Sequence, residues 1–220
     1  MKNIIIVGDS FAEMALGWPN QLAALLGLNL VLVAQGAGSW WSIRDKLDDL
    51  DYRLIADAEY MLFVHPPSER LNTTDAELLR VNKDAKEKDE RELAVHLHYK
   101  YVYNDEFVRW AHRAWIKELQ TRFSDKKLIH VHSFPSTNHL TVLLKGMTVQ
   151  PTLAAISLCE MGKKNLEFFV DIRPNHFNDT NNRVLAEEMA RLIGNYSTGT
   201  AQLNTDLFDL KTDRWLDWRY

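Results

Sequence analysis

The chain opens on an unbroken apolar run, Ile4-Ile5-Ile6-Val7, whose β-branched residues predict a strand covered on both faces, as in a parallel sheet. From Phe11 to Leu26 the spacing turns helical. Met14, Leu16, Leu22, Leu25 and Leu26 are apolar, and Gly27 supplies a stop. Leu28 to Ala34 predicts a second strand, running into Gln35-Gly36-Ala37-Gly38-Ser39. A charged amphipathic helix follows over Ile43 to Leu54. Tyr60 to Val64 then makes a third strand that ends at His65-Pro66-Pro67-Ser68. This β-α-β-α-β alternation predicts a doubly wound α/β fold, a parallel sheet with helices on both faces. Ligands in such sheets bind beyond the carboxyl ends of the strands. That rule singles out the turns at Asp9-Ser10, Gly36 to Gly38 and His65 to Ser68.

Beyond the third strand the pattern is less regular. Asn72 to Glu92 is highly charged, and its alternating signs at helical spacing predict a solvated helix, with a mobile insertion as the other reading. Tyr99, Tyr101 and Tyr103 alternate like a strand or flap, covering the site or packing a satellite cluster. Asn104 to Phe123 predicts a helix with Phe107, Trp110, Ala111, Ala114, Trp115 and Leu119 on one side. Lys127 to Phe134 is a fourth strand, Pro135 to Pro151 a connection, Leu166 to Val170 a fifth strand and Thr180 to Ile193 a last helix. Residues 1–195 read as one domain with a charged insertion near 72–103, and 196–220 as a tail that ends in aromatic residues.

Composition narrows the function classes. The 220 residues carry 26 Lys plus Arg against 30 Asp plus Glu, so the net charge of −4 lacks the basic footprint of a duplex nucleic-acid binder. One cysteine, Cys159, excludes an intrachain disulfide framework and a cysteine zinc site. No apolar run reaches the length of a membrane span. The opening apolar segment is too short for a signal peptide, which leads to the expectation of a cytoplasmic or otherwise non-secreted protein. His130 and His132 stand two apart on a strand and so share a face, but no carboxylate spacing around them supports a metal site. Trp40-Trp41 follows the Gly36 turn, as a stacking wall for an acyl group or sugar or as core.

Three loops could carry chemistry together. Ser10 stands just past the first strand, where the pattern starts a helix whose free N–H groups favour an oxyanion; a plain helix cap is the other reading. His176 lies between the last predicted strand and the last helix, on the same edge, where a histidine can take and return a serine proton. Gly36, after the second strand, leaves a backbone N–H open to close approach, or simply makes a tight turn.

Ile4-Ile5-Ile6-Val7-Gly8-Asp9-Ser10-Phe11-Ala12 resembles the first block of the GDSL or SGNH hydrolases, serine esterases and lipases on a three-layer flavodoxin-like fold. Gln35-Gly36-Ala37-Gly38 is similar to the family's second block, and Pro174-Asn175-His176-Phe177-Asn178 to its last. The resemblance implies Ser10 as nucleophile, His176 as proton carrier, and the Ser10 and Gly36 N–H groups as oxyanion hole. It implies no cofactor and no metal. The substrate would be a small ester or an O-acetylated carbohydrate. Two departures stand out. The third block's asparagine is missing from His65-Pro66-Pro67-Ser68-Glu69-Arg70, and Arg173 occupies the position of the triad aspartate. Asp171 is then the only carboxylate within five residues before His176 and the candidate to orient it, with a backbone carbonyl as the other reading; the Asp171-Ile172-Arg173-Pro174-Asn175-His176 run resembles one in phage SGNH-like proteins. Both departures also suit an inactive SGNH-like domain that binds a glycan or a protein. A flavodoxin-like nucleotide binder is disfavoured, since no Gly-rich phosphate loop follows the first strand.

Overall fold

The computed structural model describes residues 1–13, 16–36, 38–68, 70, 90–134, 137, 140, 143–157 and 177–209. Six strands form one sheet: β1 (Asn3–Gly8), β2 (Asn29–Ala34), β3 (Ala58–His65), β4 (Lys127–His132), β5 (Met147–Gln150) and β6 (Gly199–Gln202). Their order is β2-β1-β3-β4-β5-β6, and every neighbouring pair is parallel. The first five strands thus follow the flavodoxin-like order, with the chain reversing direction across the sheet at β1 and β3.

All six residues of β1 are buried, because side chains alternate between two covered faces. Ile4 and Ile6 of β1, Leu62 and Val64 of β3, and Ile129 and Val131 of β4 join one apolar layer. That layer is closed by α1 (Trp18–Leu26) and α7 (Asp179–Gly194) through Trp18, Leu22, Leu185 and Met189. Ile5, Val7, Met61, Phe63 and Leu128 face the other way. They meet α2 (Trp40–Asp48) and α5 (Asp105–Arg122) through Trp40, Ile43, Trp115, Ile116 and Leu119. The short helices α3 (Tyr52–Ala56), α4 (Glu90–Leu97) and α6 (Leu153–Ile156) complete the set.

Five elements differ from the sequence-based expectation. The single helix expected over Ile43 to Leu54 is two, α2 and α3, divided where the Asp51 carboxylate accepts from Arg53 N at 2.9 Å and caps a new start. The helix expected from Phe11 begins only at Trp18. Asp9 captures the chain first: its carboxylate accepts from Phe11 N at 3.1 Å and its carbonyl from Ala12 N at 3.0 Å, which makes a turn instead. Pro19 then sets the first helical turn, and Gly27 ends the helix in the left-handed conformation (φ 63°). Tyr99 and Tyr101 lie in a π-helical turn (His98–Val102) rather than in a strand or flap. There Tyr99 packs against Tyr103 and His98, with ring centroids 5.3 and 5.4 Å away. β5 occupies the stretch expected to be a connection. A Cβ at the preceding Gly146 (φ 101°) would strike the Leu128 carbonyl, so only glycine lets β5 approach β4 there. β6 comes from the segment expected to be a tail and extends the sheet beyond β5. The expected fifth strand at 166–170 and most of the charged insertion, 71–89, lie outside the described residues.

Candidate active site

The carboxyl ends of β1, β2 and β3 carry the loops that the sequence singled out. Gly8 pairs with Ala34 at the end of β1 and β2. Ser10 and Gly36 each follow that pair by two residues, on strands about 4.8 Å apart. Ser10 is 7% exposed, so its hydroxyl sits within the loop cluster rather than on open surface. It does not start a helix, because α1 begins eight residues later at Trp18; helix-end donors therefore play no part at Ser10. A Cβ on Gly36 would lie 2.5 Å from a carboxylate oxygen of Glu13, so the absent side chain makes room for that group.

Asp9 is fully buried and organises the edge. Its Oδ1 accepts from Phe11 N at 3.1 Å and from the Ser133 hydroxyl at 3.0 Å. Its Oδ2 accepts from Arg70 Nη1 at 3.1 Å. The same Nη1 donates to the Gly38 carbonyl at 2.9 Å, and the guanidinium lies 5.7 Å from the centre of the Phe134 ring. Loops after β1, β2, β3 and β4 thus meet at one buried carboxylate and one arginine. A buried carboxylate is tolerated only with such partners.

Asp171 and His176 lie outside the described residues, as does Arg173. The residue that follows His176 is described. Phe177 is buried, and its ring packs 5.6 Å from that of Phe11, the residue that follows Ser10. Asn182 of α7 fixes this junction. Its amide donates to the Phe177 carbonyl at 3.1 Å, and its oxygen accepts from Trp18 N at 2.9 Å.

A second polar cluster lies under α5. His65 ends β3, His130 and His132 face the same side of β4, and His112 projects from α5; all four are buried. His130 Nε2 donates to the Lys145 carbonyl at 3.0 Å, so its Nδ1 must accept. His65 Nε2 then donates to that Nδ1 at 2.9 Å, which leaves His65 Nδ1 as a buried acceptor without a hydrogen-bond partner among the described residues. His132 Nδ1 donates to Thr137 Oγ1 at 2.7 Å, since that hydroxyl gives its own proton to the Phe134 carbonyl. Burial, reinforced by the neighbouring imidazoles, holds His65 well below its usual pKa. Burial likewise brings His130 down to about 3, against the opposing pull of the Lys145 carbonyl. His65 and His130 are therefore neutral. They meet edge to edge through their hydrogen bond, nearly coplanar at 13° with ring centroids 5.1 Å apart. Among the described residues no three His, Cys, Asp or Glu side chains are grouped to hold a metal ion.

The two tryptophans of the Gly36 side divide. Trp40 is core, stacked on His112 at 5.6 Å and 6°, whereas Trp41 is 42% exposed under the Arg44 guanidinium.

No family model matches this sequence, and no curated protein matches it. A solved structure does. A protein assigned to the G-D-S-L lipolytic family, from Desulfitobacterium hafniense DCB-2, superposes with a TM-score of 0.51 over 87% of this chain and 99% of that one. Sequence identity over the match is 10%, so the likeness is one of fold. The chain has the SGNH hydrolase fold. In this sheet the Gly8-Asp9-Ser10 turn follows β1 and the Gly36 turn follows β2, its neighbour at the edge. Sequence reasoning missed Arg70 and Ser133 as partners of Asp9. Arg70 was visible only as part of a segment lacking an asparagine, and nothing local ties Ser133 to a residue 124 positions earlier.

Proposed function

We propose that this protein is a serine esterase of SGNH type, hydrolysing a small ester or an O-acetylated carbohydrate through an acyl-enzyme. The observation that carries the reading is the Gly8-Asp9-Ser10 turn at the carboxyl end of β1, beside the point where the strand order reverses, in a sheet of the SGNH fold.

In this reading the Ser10 hydroxyl attacks the ester carbonyl carbon while His176 takes its proton. The carbonyl oxygen becomes an oxyanion held by the Ser10 and Gly36 N–H groups. Collapse breaks the bond to the alcohol, and His176 returns the proton to the departing oxygen. A water, deprotonated by His176, then attacks the acyl carbon; collapse breaks its bond to Ser10 Oγ, His176 returns the proton to that oxygen, and the acid leaves. Asp171 holds the imidazole tautomer and stabilises the imidazolium. The packing of Phe177 on Phe11 supports the pairing of these loops, because the neighbours of Ser10 and His176 in sequence share one contact.

Ser10→Ala tests the reading: hydrolysis of short aryl esters should vanish while the fold persists. The alternative is an inactive SGNH-like domain that binds a glycan or a protein. It is favoured by the His65-to-Arg70 segment, which has no asparagine and whose Arg70 is bound to Asp9. A parent chain with no esterase activity, and unchanged binding in Ser10→Ala, would select it.

A further inference from the structure

Resting on the esterase reading, we infer that Arg70 is a positioning residue of the catalytic site, the clamp that sets the Ser10 loop against the Gly36 turn. Two acceptors, on different loops, share one nitrogen. Nη1 carries two hydrogens; one goes to Asp9 Oδ2 and the other to the Gly38 carbonyl.

Each acceptor governs one half of the site. Asp9 immediately precedes Ser10 and shapes its turn by accepting from Phe11 N. Gly38 closes the other turn, since its N–H donates to the Gln35 carbonyl at 2.9 Å and brackets Gly36 between them. A Cβ at Gly38 would lie 2.8 Å from that carbonyl, so the turn is already tight. The Gln35 end of the turn is tied to β1, where Gln35 N donates to the Gly8 carbonyl at 3.1 Å; what remains free is how the Gly38 end is set. Gripping the Gly38 carbonyl from the same nitrogen that grips Asp9 removes that freedom. Charge explains why arginine stands here. Asp9 is completely buried, Ser133 and Phe11 give it only neutral donors, and a cation must complete the set. The Phe134 ring beneath the guanidinium adds a fourth loop to the hold.

A catalytic geometry displaced by about 1 Å loses on the order of a hundredfold in rate. Arg70→Met should therefore slow the covalent labelling of Ser10 by a fluorophosphonate, and kcat on an aryl ester, by about a hundredfold, with KM changed by less than about threefold. Arg70→Lys, which keeps the charge and two donors, should recover most of that loss. A merely structural pair would lower the melting temperature and leave the labelling rate of the folded protein at the parental value. If Arg70→Met does not fold, Asp9→Asn with Arg70→Met removes both charges together and is measured in its place, with the same slowing expected. A folded variant that labels at the parental rate, or one that lysine does not rescue, overturns the inference alone. A parent chain whose Ser10 does not label overturns the esterase reading, and the clamp with it.

Discussion

Two buried polar clusters sit at the carboxyl end of this sheet, and they solve the same problem in opposite ways. The cluster around Asp9 keeps a charge inside and surrounds it with a backbone N–H, a hydroxyl and a guanidinium. The histidine cluster under α5 keeps His65 and His130 neutral, and among the described residues His65 Nδ1 has no hydrogen-bond partner. The charged cluster joins four loops and so fixes positions across the edge. The neutral one joins two adjacent strands and a helix that the apolar layer already holds together. Burial alone therefore does not mark a functional polar group; what it ties together does.

Removing the centre of the charged cluster should have the largest effect. Asp9→Ala leaves the Arg70 guanidinium and the Ser133 hydroxyl without their buried acceptor, and should cost about 3–5 kcal/mol in urea unfolding. Acid should break the other cluster. His65 and His130 stay neutral in the folded chain far below the ordinary histidine value, while the unfolded chain takes up their protons. Stability is then complete above about pH 6.5 and falls as pH drops below it, by about 2 kcal/mol for His130 between pH 7 and 5, with His65 acting in the same direction. Denaturant midpoints at pH 7, 6 and 5 check this, and His65→Phe should make the slope shallower. An exposed pair sets the lower end of the scale. Lys127 bridges Glu59 at 2.9 Å at the amino end of β3 and β4, both side chains in solvent, and Lys127→Ala should shift stability by about 0.5 kcal/mol or less. A loss there as large as that for Asp9→Ala would erase the distinction between buried and exposed charge.

The same contrast shows what the sequence could convey. β1 to β4 were legible because each holds a short apolar run rich in β-branched or aromatic residues and bounded by turn residues; β1 is buried throughout and β3 nearly so, whereas β2, at the edge, is half-exposed. The short strands β5 and β6 were not, since each is four residues long and Gly199-Thr200-Ala201-Gln202 carries no apolar run. The helix start was misplaced because apolar spacing cannot register that Asp9 folds back on Phe11 N. His130 and His132 could be placed on one face from their spacing. Their union with His65 depends on the register of β3 against β4, which pairs His65 with His132 and is not local. Arg70 follows the same logic: its partners lie 61 and 32 residues away.

The central claim is that Ser10 is a nucleophile, and covalent trapping tests it most directly. The folded parent chain is treated with a fluorophosphonate and its peptides are read by mass spectrometry. The account predicts one adduct, on Ser10, absent from Ser10→Ala. A folded parent chain that stays unmodified at Ser10 would contradict it.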